Sequence, residues 1–198
     1  MTNKDFCIWE GIYDRFPENY TNSVFESERW INALRKRALQ LLNELERGGT
    51  ISAHTLIHEH PLTPVVALLT ALVDTPIRIL DFGGGIGSSF VLLIKSLPSS
   101  DLVEFHVVET PAICRLGREV YKKFHNLQFH DELPRDDIKF DIVHAGNSLY
   151  YIADWRMMLG KYARYEPRFI MLSGLNGGDI ETFVTYQNHY GSKIPVWF

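Results

Sequence analysis

The stretch that decides the fold covers residues 78–90 and reads RILDFGGGIGSSF. An apolar run leads to an acid, Asp81, then to four glycines at positions 83, 84, 85 and 87, and a second apolar run follows. This order predicts a strand, a tight turn and the start of a helix. The backbone amides of such a turn and the positive end of the helix can receive an anionic group of a ligand. The turn alone does not identify that ligand.

Composition predicts one globular domain. The chain has 198 residues, of which 45% are hydrophobic and 22% charged, which is enough for one sizeable core. The net charge of −4, without a long block of Lys or Arg, predicts that nucleic acid is not a partner. Cys7 and Cys114 have no metal or disulfide spacing, and no apolar stretch reaches the roughly 20 residues of a membrane span. We therefore expect a cytoplasmic protein without a membrane span.

From residue 77 onward, short apolar runs alternate with helical patterns, as in a parallel sheet built from βαβ units. The predicted strands are 77–81, 103–109, 127–129, 140–145 and 168–172. The predicted helices between them are 88–97, 111–124 and 155–165. These patterns predict an α/β fold with a Rossmann-like, doubly wound, mainly parallel sheet, whose ligands lie at the carboxyl edge of the strands.

Upstream of residue 77 the signals are helical. Ser23 and Glu26 form a capping-box pattern, which predicts a helix that ends at Gly48. Thr63 as N-cap, with Pro64 at the first helical position, predicts a second helix up to residue 74. We therefore divide the single structural domain into an N-terminal helical segment, 1–76, and a ligand-binding core, 77–198.

The glycine spacing narrows the choice of ligand. No lysine follows the glycines until Lys95, which excludes a phosphate-binding loop of the Walker type. Gly83, Gly85 and Gly87 give GxGxG, whereas a dinucleotide fingerprint has GxGxxG. Asp81, two residues before the first glycine, suits a cationic ligand group and would repel a pyrophosphate. S-adenosylmethionine, with an ammonium and a carboxylate, fits better than NAD(P), although an NAD(P)-dependent oxidoreductase stays open as an alternative.

Glu109 supports an adenosyl ligand. It ends the second predicted strand, 28 residues after Asp81, and Thr-Pro and a helix follow at once. A carboxylate there can accept two hydrogen bonds from the vicinal hydroxyls of a ribose. Because both NAD(P) and S-adenosylmethionine contain such a ribose, Glu109 is compatible with either ligand.

These residues also carry a family resemblance. ILDFGGGIG followed by FHVVET is similar to the first two ligand-binding motifs of class I S-adenosylmethionine-dependent methyltransferases. Together with WEGIYDRF, VVETPAICRLG, NSLYYIADW and FVTYQNHYGSKIPVWF, they resemble a family of proposed bacterial methyltransferases that is often linked to surface-polysaccharide gene clusters. The resemblance implies S-adenosylmethionine as cofactor and methyl transfer to a small-molecule or glycan-like acceptor, at oxygen.

The resemblance also implies which residues bind the cofactor. The matching positions are Asp81, Gly83, Gly85, Gly87, Glu109 and Asp131. The acid and the glycines of the loop would hold the methionyl end, the acid that ends the second strand would hold the ribose, and Asp131 would contact the adenine amino group.

The sequence contains candidates for a catalytic base and for the wall of the acceptor pocket, but no motif assigns these roles. His144, near the end of the fourth predicted strand, has the chemistry of a general base. Tyr150 and Tyr151 are candidates for the wall of the acceptor pocket, as are His189 and Tyr190. Much of the rate of a methyl transfer can come from alignment of the reactants, so no catalytic residue is assigned.

No metal site is predicted. His54 and His58 are four residues apart, as zinc ligands on one helix face would be, and His60 follows. However, Pro61 ends any helix there and the order is not HExxH. A solvated loop or helix end is the better interpretation.

The C-terminal part departs from the family pattern. Class I methyltransferases usually complete the sheet with two further strands, but only 26 residues follow residue 172, and 182–186 could supply at most one strand. The final IPVWF is apolar, which predicts that a second copy of the chain or a missing C-terminal segment covers it. An incomplete sheet also leaves open a non-catalytic interaction domain that retains the fold.

Overall fold

The computed structural model describes residues 7–18, 20, 23–48, 61–189 and 191–198. The strands are β1 (Trp9–Tyr13), β2 (Ile77–Phe82), β3 (Val103–Val108), β4 (Leu127–His130), β5 (Ile142–Gly146), β6 (Phe169–Ser173), β7 (Val184–His189) and β8 (Ser192–Trp197). The α-helices are α1 (Glu28–Glu46), α2 (Leu62–Thr70), α3 (Ser88–Ser96), α4 (Pro111–Val120) and α5 (Trp155–Ala163). Short 3-10 turns cover Ser23–Glu26, Ser100–Leu102 and Leu149–Tyr151.

Five parallel strands form the central sheet in the order β4-β3-β2-β5-β6. The chain runs from β2 outward to β3 and β4, then returns to place β5 and β6 on the other side of β2. The predicted α/β, Rossmann-like fold is therefore confirmed, and each predicted strand of this sheet is found within two residues of its predicted bounds. The point at which the strand order reverses lies between β2 and β5, and ligands bind at such points in doubly wound sheets.

The sheet separates two apolar layers. Ile79 and Ile142 belong to a core that also contains buried residues of α1, α2, α3 and α4. The next residue along each strand, Leu80 or Val143, faces the other layer, which contains buried residues of α5 such as Tyr162. Because side chains alternate between the faces of a strand, a continuous apolar run such as β2 needs helices on both faces.

A second sheet joins the two ends of the described chain. Strands β1, β7 and β8 pair antiparallel in the order β1-β7-β8. Neither β7 nor β8 joins the parallel sheet, so within the described residues that sheet lacks the two further strands that usually complete it in class I methyltransferases, in agreement with the sequence prediction of at most one. Ile194 and Val196 are fully buried, and Trp197 Nε1 donates a hydrogen bond to the carbonyl oxygen of Ala153 at 3.1 Å. Ile194, Pro195 and Val196 are thus buried within this chain, whereas Trp197 and Phe198 are partly exposed. Cover of IPVWF by a second copy or a missing segment stays a prediction.

The N-terminal segment differs from its prediction in three respects. Strand β1 lies within a segment that was predicted to be helical throughout. The N-cap of α1 is Ser27, whose extended backbone lets its Oγ accept a hydrogen bond from the Trp30 amide, so Ser23 does not cap this helix. Helix α2 begins at Leu62, directly after Pro61, and ends at Thr70, so Thr63 lies within its first turn. The division of the domain at residue 76 stays a prediction.

Membrane and metal features can be assessed only for the described ranges. In those ranges, no helix combines the length and apolar character that a membrane crossing requires. The same part of the chain contains no group of three or more His, Cys, Asp or Glu side chains that could hold a metal ion. His54, His58 and His60, which were weighed as zinc ligands, lie outside the described residues.

Two helical glycines provide a matched test of the packing between α4 and β4. A Cβ atom at Gly117 of α4 would overlap the buried ring of Phe129 on β4, whereas a Cβ at Gly160 of α5 meets nothing within 4 Å. We expect Gly117→Ala to lower the free energy of unfolding by about 1–3 kcal/mol, as overpacking does. Gly160→Ala should raise it by up to about 1 kcal/mol, because alanine is the better helix former. Urea unfolding of both variants measures the difference, and equal effects would contradict this packing.

Candidate functional site

The largest feature at the carboxyl edge of the parallel sheet is a cavity of about 730 Å³, here called the main cavity. It lies over the point at which the strand order reverses, next to the ends of β2, β3 and β5. The predicted site residues that line it are Gly83, Gly85, Glu109, Asp131, Tyr150, Tyr151 and His189. The main cavity therefore brings together most of the predicted positions, although they are up to 106 residues apart in the sequence.

The glycine loop follows β2 as the sequence predicts. Gly83 has a φ of +66°, and a Cβ there would overlap the Ser148 side chain. Gly87, with a φ of +80°, is the N-cap of α3 and is buried. Left-handed backbone of this kind favours glycine. Gly83 thus borders the main cavity, whereas Gly87 serves the start of the helix and lines neither this cavity nor the polar cavity described below.

Glu109 follows β3 and holds the glycine loop. Its Oε1 accepts a hydrogen bond from the Gly85 amide at 3.1 Å, and its Oε2 accepts one from the Thr110 amide at 2.9 Å. Burial raises the pKa of the Glu109 carboxyl above its ordinary value, and the two amide hydrogen bonds only partly offset this rise. The carboxylate therefore orders the loop and borders the main cavity at the same time.

Asp81 and His144 form a buried ion pair beneath the loop. His144 Nδ1 lies 2.7 Å from Asp81 Oδ1, and the side chains are 6% and 1% exposed. His144 Nε2 lies 3.1 Å from Ser173 Oγ, so both ring nitrogens have partners. Burial alone would lower the pKa of His144, but the charge of Asp81 and its hydrogen bond outweigh burial and raise it. The second carboxylate oxygen, Asp81 Oδ2, has no hydrogen-bond partner among the residues that the structure describes.

The Asp81 and His144 side chains line a second cavity of about 250 Å³, here called the polar cavity. Ser173 and Arg37 also line it. It adjoins the main cavity, because Gly83, Gly84, Ser88, Gly146, Asn147 and Arg37 border both. Of the three acids of the predicted site, Glu109 and Asp131 thus lie on the main cavity and Asp81 lies on the polar cavity.

An aromatic wall faces the glycine loop across the main cavity. The Phe25 ring lies 5.1 Å from the Tyr151 ring, and the Trp30 ring lies 5.0 Å from the His189 ring. Tyr151 donates a hydrogen bond from its hydroxyl to Gln187 Oε1 at 2.6 Å. Burial raises the pKa values of Tyr150 and Tyr151 above the ordinary value, so both phenols stay neutral at physiological pH. They form a wall, and neither is a ready proton acceptor.

Several lining residues were missed by the sequence interpretation. Phe25 and Trp30 belong to the segment that was predicted as a helix ending at Gly48, and Arg37 of α1 carried no motif. Asn147 directly follows β5 and has a φ of +54°, which is uncommon for a residue with a side chain. Its position after a parallel strand was the one signal that could have identified it. Tyr190 lies outside the described residues.

The chain is similar to several solved structures. No protein-family model matches the chain, and no curated protein sequence matches it. Among solved structures, a Haloferax volcanii protein described as a methyltransferase, in complex with the Trm112 methyltransferase activator, is 22% identical over 68% of this chain and 53% of its own, with a TM-score of 0.43. The plantazolicin methyltransferase BpumL with S-adenosylhomocysteine is 16% identical over 72% of this chain and 51% of its own, with a TM-score of 0.45.

A third similar structure is the N-terminal domain of EvdMO1 with S-adenosylhomocysteine bound. It is 17% identical over 84% of this chain and 80% of its own, with a TM-score of 0.45. The chain spans about half the length of the first two structures. At these identities the likeness concerns the fold alone.

The Asp81–His144 pair predicts a pH dependence of stability. Because the pKa of His144 is raised in the folded state, its stabilising contribution is complete below the unfolded pKa of about 6.5 and is lost as the pH rises through the folded pKa. His144→Gln should lower the free energy of unfolding by about 3 kcal/mol at pH 6, since it leaves a buried carboxylate unpaired. The loss should shrink towards pH 9, as measured by urea unfolding.

The control is His125→Gln, which changes a side chain that is 82% exposed. This variant should track the wild type at both pH values. A loss in His144→Gln that grows between pH 6 and pH 9 would show that His144 is uncharged in the folded protein.

Proposed function

We propose that this chain binds S-adenosylmethionine in the main cavity and the adjoining polar cavity. It then transfers the methyl group to an oxygen atom of a small-molecule acceptor. One observation carries the proposal: the glycine loop and Glu109 border the same 730 Å³ cavity at the reversal point of a doubly wound sheet. Adenosyl ligands with a charged tail need both features, since an acid can bind the ribose hydroxyls and open backbone amides can receive an anion.

The residues present suit each part of this cofactor. A carboxylate offers about four acceptor positions, and two amides use two of them at Glu109, so ribose hydroxyls can use the others. Asp131 is exposed at the main cavity and can accept a hydrogen bond from the adenine amino group. On the proposed assignment, the ribose and adenine therefore lie beside the ends of β3 and β4.

The methionyl end fits the polar cavity. Asp81 Oδ2 is buried without a partner in the described ranges, and an ammonium group could donate to it. Ser88, at the amino end of α3, and Arg37 border both cavities and could bind the carboxylate. Because His144 already balances the charge of Asp81, we expect Asp81 to orient the ammonium group by hydrogen bonding more than by net charge.

When bound, S-adenosylmethionine supplies a methyl group activated by its positive sulfur. The protein then has to align an acceptor oxygen with that methyl group and exclude water, and alignment of this kind can supply much of the rate. The Tyr150–Tyr151 wall limits the space beside the loop. His144 has no free ring nitrogen, and as the protonated partner of Asp81 it cannot accept a proton from the acceptor. The sequence resemblance adds a glycan-like molecule as one class of acceptor.

Glu109→Gln tests the proposal more cleanly than a change at Asp81, which would also break the pair with His144. We expect Glu109→Gln to weaken the binding of S-adenosylhomocysteine at least about tenfold, because hydrogen bonds to a charged acceptor contribute about 1.5–3 kcal/mol. Calorimetric titration measures the affinity.

The matched control is Glu119→Gln, which alters a 63% exposed carboxylate on α4 and should bind like the wild type. NAD and NADP are titrated in parallel. Binding of a dinucleotide in place of S-adenosylhomocysteine would support the oxidoreductase alternative. Binding of neither ligand class would support a non-catalytic interaction domain.

A further inference from the structure

A third cavity includes Tyr150, but none of the glycine loop, in its lining. It encloses about 220 Å³ and is here called the apolar pocket. Its walls include Trp155, Leu172, Trp197 and Phe198, so strand β6, helix α5 and the C-terminal strand all contribute. No charged side chain lines the apolar pocket in the part of the chain that the structure describes.

Tyr150 connects the apolar pocket to the main cavity, because it lines both. The two cavities therefore adjoin at the segment that follows β5. A molecule seated in the apolar pocket would reach the main cavity past this tyrosine. On the proposed function, a methyl acceptor seated there would lie next to the cavity of the cofactor.

The side chains of the apolar pocket are mostly apolar, and the polar groups of Asn176 and Trp197 are engaged within the protein. Asn176 Nδ2 donates a hydrogen bond to the Trp197 carbonyl oxygen at 3.1 Å, and Trp197 Nε1 donates one to the Ala153 carbonyl oxygen at 3.1 Å. A hydroxyl-rich ligand such as a sugar would lose its hydrogen bonds to water here and find few replacements. An apolar ligand suffers no such loss.

The rim of the apolar pocket is also apolar. Leu175 and Ile180, in the segment after β6, line the pocket and are 51% and 58% exposed. A ligand that covers them removes apolar surface from water, which is favourable. The volume equals that of about seven water molecules in the liquid, which suits one or two fused rings or a short branched acyl group.

We infer that the apolar pocket binds an apolar, ring-containing portion of the methyl acceptor. This inference rests on the proposed function, and it narrows the acceptor from a small molecule in general to one that carries an apolar group. The oxygen that receives the methyl group would then project past Tyr150 towards the main cavity. A purely glycan acceptor is the occupant that this pocket disfavours.

The four tryptophans allow each cavity to be observed separately. Trp155 and Trp197 line the apolar pocket, whereas Trp30 lines the main cavity. Indole N–H signals of the 15N-labelled full chain are recorded by NMR during titration with 2-naphthol, methyl glucoside or S-adenosylhomocysteine. We expect 2-naphthol to shift the Trp155 and Trp197 signals with saturation, methyl glucoside to leave them unchanged, and S-adenosylhomocysteine to shift Trp30.

Two exposed leucines provide matched variants. Leu175→Asp should weaken 2-naphthol binding about tenfold or more, because it places a charge at the rim. Leu72→Asp makes the same change at a side chain that is 70% exposed and does not line the pocket, so it should bind like the wild type. Ile180→Asp serves as a second rim variant if Leu175→Asp does not fold.

The outcomes separate the two proposals. If 2-naphthol shifts no indole signal, shifts Trp30 instead, or binds equally well to Leu175→Asp and Leu72→Asp, the apolar pocket is not its site and the inference fails. Methyl glucoside that shifts Trp155 and Trp197 as strongly as 2-naphthol also overturns it. If 2-naphthol binds as expected but S-adenosylhomocysteine does not bind, the proposed function fails and the acceptor role fails with it.

Discussion

The buried pair of Asp81 and His144 is the interaction on which the carboxyl edge of the sheet depends. The two residues are register neighbours on β2 and β5, the strands on either side of the point where the strand order reverses. Each side chain offsets the cost of burying the other, and Ser173 extends the contact to β6. Gly84 packs directly on Asp81, where a Cβ would come within 2.5 Å of Oδ2. The position of the glycine loop is thus coupled to the pairing of the three strands beneath it.

Three cavities of different character adjoin along this edge. The polar cavity lies over the Asp81–His144 pair, the main cavity lies between Glu109 and the aromatic wall, and the apolar pocket lies beyond Tyr150. A charged end, an adenosyl group and an apolar acceptor therefore have separate surfaces that suit them. Tyr150 lines both the main cavity and the apolar pocket, so it would lie between the proposed cofactor and the proposed acceptor. Its raised pKa keeps the phenol neutral there, and its ring fills space.

The second sheet contributes to the site as well as to the core. Gln187 of β7 accepts the hydrogen bond from Tyr151, and Trp197 of β8 lines the apolar pocket. Strand β1 extends this sheet by pairing with β7, so residues near both ends of the described chain support one wall. The C-terminal hairpin thus lies against the cavities without joining the parallel sheet.

The sequence by itself determined the parallel sheet, because its strands are short apolar runs separated by helical patterns and a glycine-rich turn, all of which are local signals. It also indicated Gly83, Gly85, Glu109 and Asp131, since the ends of parallel strands meet at one edge. Only the tertiary structure decided that Asp81 pairs with His144, that Phe25, Trp30 and Arg37 face the site, and that the C-terminal strands pair with β1. These contacts join residues far apart in the chain, and their geometry depends on strand register and helix packing, which no local pattern specifies.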